Sequence, residues 1–93
     1  MNRLVLQAHL VERGALRYTP AGIPAYDLGL RHESQVTQEG QARKVSFEIK
    51  ARALGAITER LAQMELGSLH GFAGFIGSQR NGRGIVFHVT EID

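Results

Sequence analysis

Ninety-three residues, 43% of them hydrophobic and 22% charged, make one globular domain spanning residues 1–93 rather than two domains or a disordered chain. A formal charge of +2 is too small to argue for nucleic acid by itself, and the absence of cysteine excludes disulfide and thiolate chemistry. No apolar run approaches the roughly 18 to 20 residues of a membrane span, and no cleavage pattern follows Arg3, so a cytoplasmic protein with no membrane partner is expected.

The first predicted strand, Leu4 to Val11, is apolar on nearly both phases, as in a strand shared between two packed layers. Leu16-Arg17-Tyr18-Thr19-Pro20-Ala21-Gly22-Ile23-Pro24 follows, and its Pro-x-Gly core predicts a tight reversal between two strands. In the second strand Tyr26, Leu28, Leu30 and His32 alternate with Asp27, Gly29, Arg31 and Glu33, the pattern of a half-buried strand. From Ser34 to Ala42 only Val36 is large and apolar, which predicts a mobile loop.

The third strand has the clearest two-residue period, with Val45, Phe47, Ile49, Ala51 and Ala53 toward the core and Ser46, Glu48, Lys50 and Arg52 away from it. Leu54, Ile57, Leu61 and Met64 then fall at helical spacing, opposite Thr58, Glu59, Arg60 and Gln63, predicting a short amphipathic helix that stops before Gly67. The fourth strand runs from Ser68 to Ile76 and the fifth from Gly84 to Ile92. Asn81-Gly82 between them is a hairpin signal, because both residues tolerate positive φ. Glycines at 71, 74 and 77 would let the backbone bend or another surface approach closely. Three strands, a helix and two strands is the order of an OB-fold, an all-β, five-stranded Greek-key barrel with one short helix between its third and fourth strands. Small α+β sandwiches share that order.

Charge is unevenly placed. Arg43, Lys44, Lys50, Arg52 and Arg60 face only Glu48 and Glu59 between Gly40 and Ala62, and Arg80 and Arg83 have no carboxylate between Gln79 and Thr90. That distribution permits a basic face, or charges that merely solvate the surface. His9, His32, His70 and His88 sit in four different strands without zinc-motif spacing, so they read as packing residues and no metal is expected. The segment Gly77 to Gly84 outlines a phosphate loop, but Arg83 and Gly84 replace its Lys and Ser or Thr, and a strand follows where that motif needs a helix. No catalytic constellation and no cofactor are expected.

Several of these segments together resemble the bacterial single-stranded-DNA-binding proteins and, more closely, their small relative, the primosomal replication protein N (PriB) family. They are Asn2-Arg3-Leu4-Val5-Leu6, the Arg-Tyr-x-Pro-x-Gly turn with Gly22-Ile23-Pro24, Arg43, Gly67-Ser68, Gly74-Phe75-Ile76 and Asn81-Gly82. The resemblance covers nearly the whole chain and selects the OB-fold. It implies a homodimer that binds single-stranded DNA and joins a fork-recognising primosomal helicase to a helicase-loading protein. It also implies no long tail with an acidic tip, in keeping with Asp93 following directly on the last predicted strand. There are departures: Ser46 stands where the family carries a base-stacking tryptophan, Glu33 replaces a basic residue, and only Arg80 falls on a family lysine position of a shorter last hairpin.

Candidate DNA contacts are taken from both lines of reasoning. Arg17 is a loop cation for phosphate or for solvent, and Tyr18 either stacks on a base or packs over the barrel mouth. Arg31 stands near the missing basic residue. Arg43, Lys44, Lys50 and Arg52 form the main basic stripe, Phe75 is the outward aromatic if Phe72 and Ile76 point inward, and Arg80 and Arg83 lie on a hairpin that can wrap a strand. Two other functions stay open: an OB-fold interaction module with only weak DNA binding, and a tail-less single-stranded-DNA-binding protein.

Overall fold

A computed structural model describes all residues, 1–93. In chain order the elements are β1 (Leu4–Arg13), β2 (Arg17–Tyr18), β3 (Pro24–Gln38), β4 (Gln41–Leu54), α1 (Ile57–Gln63), β5 (Leu69–Ser78) and β6 (Ile85–Ile92). The strands lie in the order β1-β5-β6-β4-β3-β2, and a further β1–β3 pairing closes five of them into a barrel. β1 makes that closure by dividing its length. Leu4 to His9 pair with β5, and His9 to Arg13 pair with β3 across a bulge between Leu10 and Glu12. The last seam is a short parallel pairing of β4 with β6, Ala51 opposite Phe87 and Arg52 opposite His88. This is an OB-fold, as the sequence predicts.

Alternation fills the barrel. Leu10, Leu30, Phe72 and Phe87 are fully buried, with small Ala51 and Ala53 on β4 leaving them room. Each such Leu or Phe contributes about 1.5–3 kcal/mol on leaving water. Leu61 and Met64 bring α1 onto the same core, so the helix acts as a plug at the barrel's end. β5 curves sharply where Gly74 meets the carbonyl of His88, and any side chain at 74 would collide with that backbone oxygen. The close approach expected of the β5 glycines is found there, beside a bulge between Ala73 and Gly74.

Five expectations need correction. Ser34 to Ala42 is no loop: β3 and β4 stay paired to Gln38 and Gln41, around Glu39 and Gly40 at φ 51° and 74°. Two consecutive positive angles make the twist-matched hairpin turn, and the ribbon is polar because both of its faces lie in water. Phe47 has the predicted phase but is 40% exposed, because at that height β3 and β4 have already left the barrel. The helix begins at Ile57, not Leu54, and Thr58 is buried, its hydroxyl donating to the Gly55 carbonyl at 2.6 Å. Of the Asn81-Gly82 pair only Gly82 takes a positive φ; Asn81 instead accepts from the Arg83 amide with its side chain, at 2.9 Å. The Thr19–Gly22 turn forms as read, with the Gly22 amide donating to the Thr19 carbonyl, but it joins β3 to the added two-residue β2 rather than to β1.

Candidate nucleic-acid interface

The outward phase of β3 and β4 builds the site. Directly opposite residues share a face, so Asp27 lies beside Arg52, Gly29 beside Lys50, Arg31 beside Glu48, Glu33 beside Ser46 and Gln35 beside Lys44. Cations and carboxylates alternate along this face. The predicted stripe is therefore split: Lys44, Lys50 and Arg52 point outward, whereas odd-numbered Arg43 takes the other phase, opposite Val36, and donates to Gln38 Oε1 at 2.8 Å. A cleft of about 510 Å³ opens over the barrel wall, lined by Lys50 and Arg52, by three carboxylates (Glu12, Asp27, Glu48) and by Gln79 at the base of the β5–β6 hairpin. Glu12 reaches it because the β1 bulge shifts its register and Gly29 allows it close.

Asp27 organises the cleft's edge. Arg17 Nη2 donates to its Oδ1 at 3.1 Å and Nε to its Oδ2 at 3.2 Å, while Arg52 Nε donates to Oδ1 at 3.0 Å. Partial burial works to raise the Asp27 pKa, but the hydrogen bonds and charges of Arg17 and Arg52 outweigh it and hold the carboxyl below the usual range. Arg17 is thus an ion-paired residue of β2 rather than a free loop cation, and Tyr18 beside it is 64% exposed and does not cover the barrel mouth. Arg31 pairs with Glu33 at 3.4 Å. Lys44, Lys50, Arg80 and Arg83 form no ion pair.

Arg52 also borders a second, smaller hollow of about 350 Å³ with Leu54, Ile57, Phe75 and His88. Phe75 points outward and is 43% exposed, with Phe72 fully buried on the opposite phase, as predicted. Its ring stacks on His88, which faces it across β5–β6. Burial, reinforced by the Arg52 charge, pushes the His88 pKa down. The structure therefore gathers Lys50 and Arg52 at one cleft, ties Arg17 to its edge through Asp27, sets Phe75 beside Arg52 in the adjoining hollow, leaves Arg43 and Lys44 out on the ribbon, and puts Arg80 and Arg83 on the hairpin beyond Gln79. Asp27, Glu12, Glu48 and His88 escaped the sequence reading as site residues. Only strand register reveals the first three, while His88 gave just the signal of a lone strand histidine. No group of three or more His, Asp or Glu side chains is placed to hold a metal ion.

A family model described as another single-strand binding protein family matches residues 2–91. Replication restart protein PriB of Bordetella pertussis is 45% identical over 80 residues, covering 86% of this chain and 75% of that one. The chain belongs to the PriB family, related to the single-stranded-DNA-binding proteins. A solved structure of PriB from Ralstonia solanacearum superposes with a TM-score of 0.91 at 35% identity, covering 100% of this chain and 96% of the other. The single-stranded DNA binding protein of Thermus aquaticus gives 0.78 at 28% identity, over 100% of this chain and 49% of its own. Against that PriB background Ser46, on the outward face opposite Glu33, provides no aromatic surface between Glu48 and Lys44. Phe47, its neighbour, packs on the opposite phase against the His32 ring, 5.1 Å between centroids.

Proposed function

We propose that this PriB-family chain binds single-stranded DNA during replication restart, without catalysis, as a cytoplasmic homodimer that bridges a fork-recognising helicase and a helicase-loading protein. One observation carries the DNA reading: Lys50 and Arg52 line a cleft on the outward face of β4, with the exposed ring of Phe75 adjoining it through Arg52. Cations in such a groove gain affinity by releasing counterions, and a ring can stack under a base of any sequence. Arg31, Lys44, Arg80 and Arg83 extend this surface, and Tyr18 offers a second exposed ring.

The dimer reading rests on β1. From Leu4 to Ala8 it pairs only with β5, leaving its other edge toward β3 open apart from a His32 Nδ1 contact to the Gln7 carbonyl at 2.6 Å. Val5 is 66% exposed on that strand, and the β3–β4 ribbon carries exposed Val36 and Phe47. A two-fold copy would cover this edge and place two clefts in one assembly. Sedimentation equilibrium should give twice the 10.2 kDa chain mass, and a monomer at micromolar concentration would remove the dimer.

Fluorescence anisotropy with a labelled oligothymidylate tests the DNA function. Log affinity should fall with log salt by about 0.7 per phosphate neutralised, and Lys50→Ala with Arg52→Ala should flatten that slope. An unchanged slope would move the site to Arg80 and Arg83, and preference for duplex would count against the function itself. The interaction-module reading is favoured by Ser46 and by Glu12, Asp27 and Glu48 in the cleft. Under it, the Lys50 and Arg52 replacements leave assembly with the helicase proteins intact and have little cellular effect.

A further inference from the structure

Asp27 sits on β3, between β2 and β4, so guanidiniums reach it from both neighbouring strands. Arg17 takes both carboxylate oxygens and Arg52 takes one of them, so each arginine keeps terminal N–H groups free. The arginine fork fits carboxylate and phosphate alike, because both present paired oxygens at similar spacing. We infer that Arg17 and Arg52 form one phosphate subsite of the single-stranded-DNA groove, and that Asp27 occupies it in the free protein as a competitor that a backbone phosphate must displace. This inference rests on the DNA reading of the cleft and assigns it a residue that opposes binding.

Three observations support competition over simple support. The side chains are partly open to water, 45% for Arg17, 33% for Arg52 and 53% for Asp27, so a phosphate can reach the guanidiniums and the released carboxylate can hydrate. Ion pairs so exposed hold weakly, and the two free oxygens of a singly charged phosphodiester compete on equal geometric terms. The cleft also contains Glu12 and Glu48, so a displaced Asp27 gains no cationic partner there except Lys50, and its charge continues to repel DNA. The trio carries one net positive charge with Asp27 ionised and two without it. Asp27 lowers affinity and salt sensitivity together.

The test is anisotropy of labelled oligothymidylate on Asp27→Asn and Asp27→Ser, each checked for folding by thermal unfolding. Both should bind more tightly than the native chain, by about eightfold near 50 mM salt and about threefold near 0.2 M. The salt slope should steepen by about 0.7, the signature of one more neutralised phosphate. Adding Arg17→Ala to Asp27→Asn should abolish the gain. If the native chain binds and loses affinity on Lys50→Ala, but folded Asp27 variants bind equally or less well, Asp27 is an organiser of the two arginines and the inference falls while the DNA function stands. If neither the native chain nor the Asp27 variants bind, both fall. Binding that emerges only in the variants would support the inference and show the native groove held shut by Asp27.

Discussion

The rings of Phe75 and His88 lie face to face, centroids 4.7 Å apart and planes 15° from parallel. They are direct partners in the β5–β6 ladder, and Arg52 of β4 sits opposite His88 on the other side. The stacking partly buries the imidazole, and Arg52 sets a cation beside it; burial and that charge both favour its neutral form.

That placement sets a pH dependence. The folded-state pKa of His88 is depressed, so the unfolded chain takes up this proton more readily than the folded one. The resulting contribution to stability is present above about pH 6.5, the unfolded value, and is lost as pH falls through it toward the folded value. His88→Gln should flatten the difference in urea midpoint between about pH 7.5 and pH 5.5, and Arg52→Ala should do so partly. The same pH dependence in His88→Gln as in the native chain would refute the assignment.

His88 covers one face of Phe75, so a nucleobase has the remaining exposed face. Base–aromatic stacking is worth about 1–3 kcal/mol per base. Phe75→Leu, which keeps an apolar side chain, should weaken oligothymidylate binding about fivefold or more while leaving the salt slope unaltered. A parallel loss of slope would mean that the substitution had disturbed Arg52 instead.

Gly74 is where β5 can pass the His88 carbonyl, and a methyl group there would meet backbone that has no side-chain freedom to yield. Gly74→Ala should cost about 3 kcal/mol or more, at the upper end of overpacking effects. Gly22→Ala, whose Cβ would meet nothing within 4 Å, isolates the strain of a positive φ and should cost less. Denaturant titration of both gives the comparison.

Arg13, at the end of β1, caps α1 from outside: its Nη1 donates to the carbonyls of Leu61 at 2.9 Å and Met64 at 2.7 Å. The Leu61 carbonyl also accepts from the Met64 amide at 3.2 Å, so Arg13 reinforces that backbone cap and supplies a partner for the Met64 carbonyl beyond it. Arg13→Ala should cost about 1.5–3 kcal/mol in a urea titration, as expected for hydrogen bonds from a charged donor, with Arg13→Lys recovering part of it.

The barrel was legible because its signals are local. Tyr26, Leu28 and Leu30 alternate with polar neighbours, and Leu61 and Met64 keep helical spacing, so each element announced its own buried face. Phe75 was legible for the same reason, once Phe72 was assigned inward. The β3–β4 ribbon was not, because the sequence marks polarity, and a solvated hairpin is as polar as a loop. Glu39-Gly40 is a weak turn signal, since only glycine advertises positive φ in advance.

Sequence by itself determined the five core strands, the short helix, the family and the presence of cations on β4 and the last hairpin. Alternation and local turn chemistry act over a few residues, and they survive in a linear string. Tertiary structure alone decided which charges are free. Arg17 and Arg52 lie 35 positions apart in the sequence, yet both reach Asp27, because β3 is hydrogen-bonded between β2 and β4 and its register sets Arg52 directly opposite. A cation's availability depends on what lies within a few ångströms of it, and in a barrel those neighbours come from other strands.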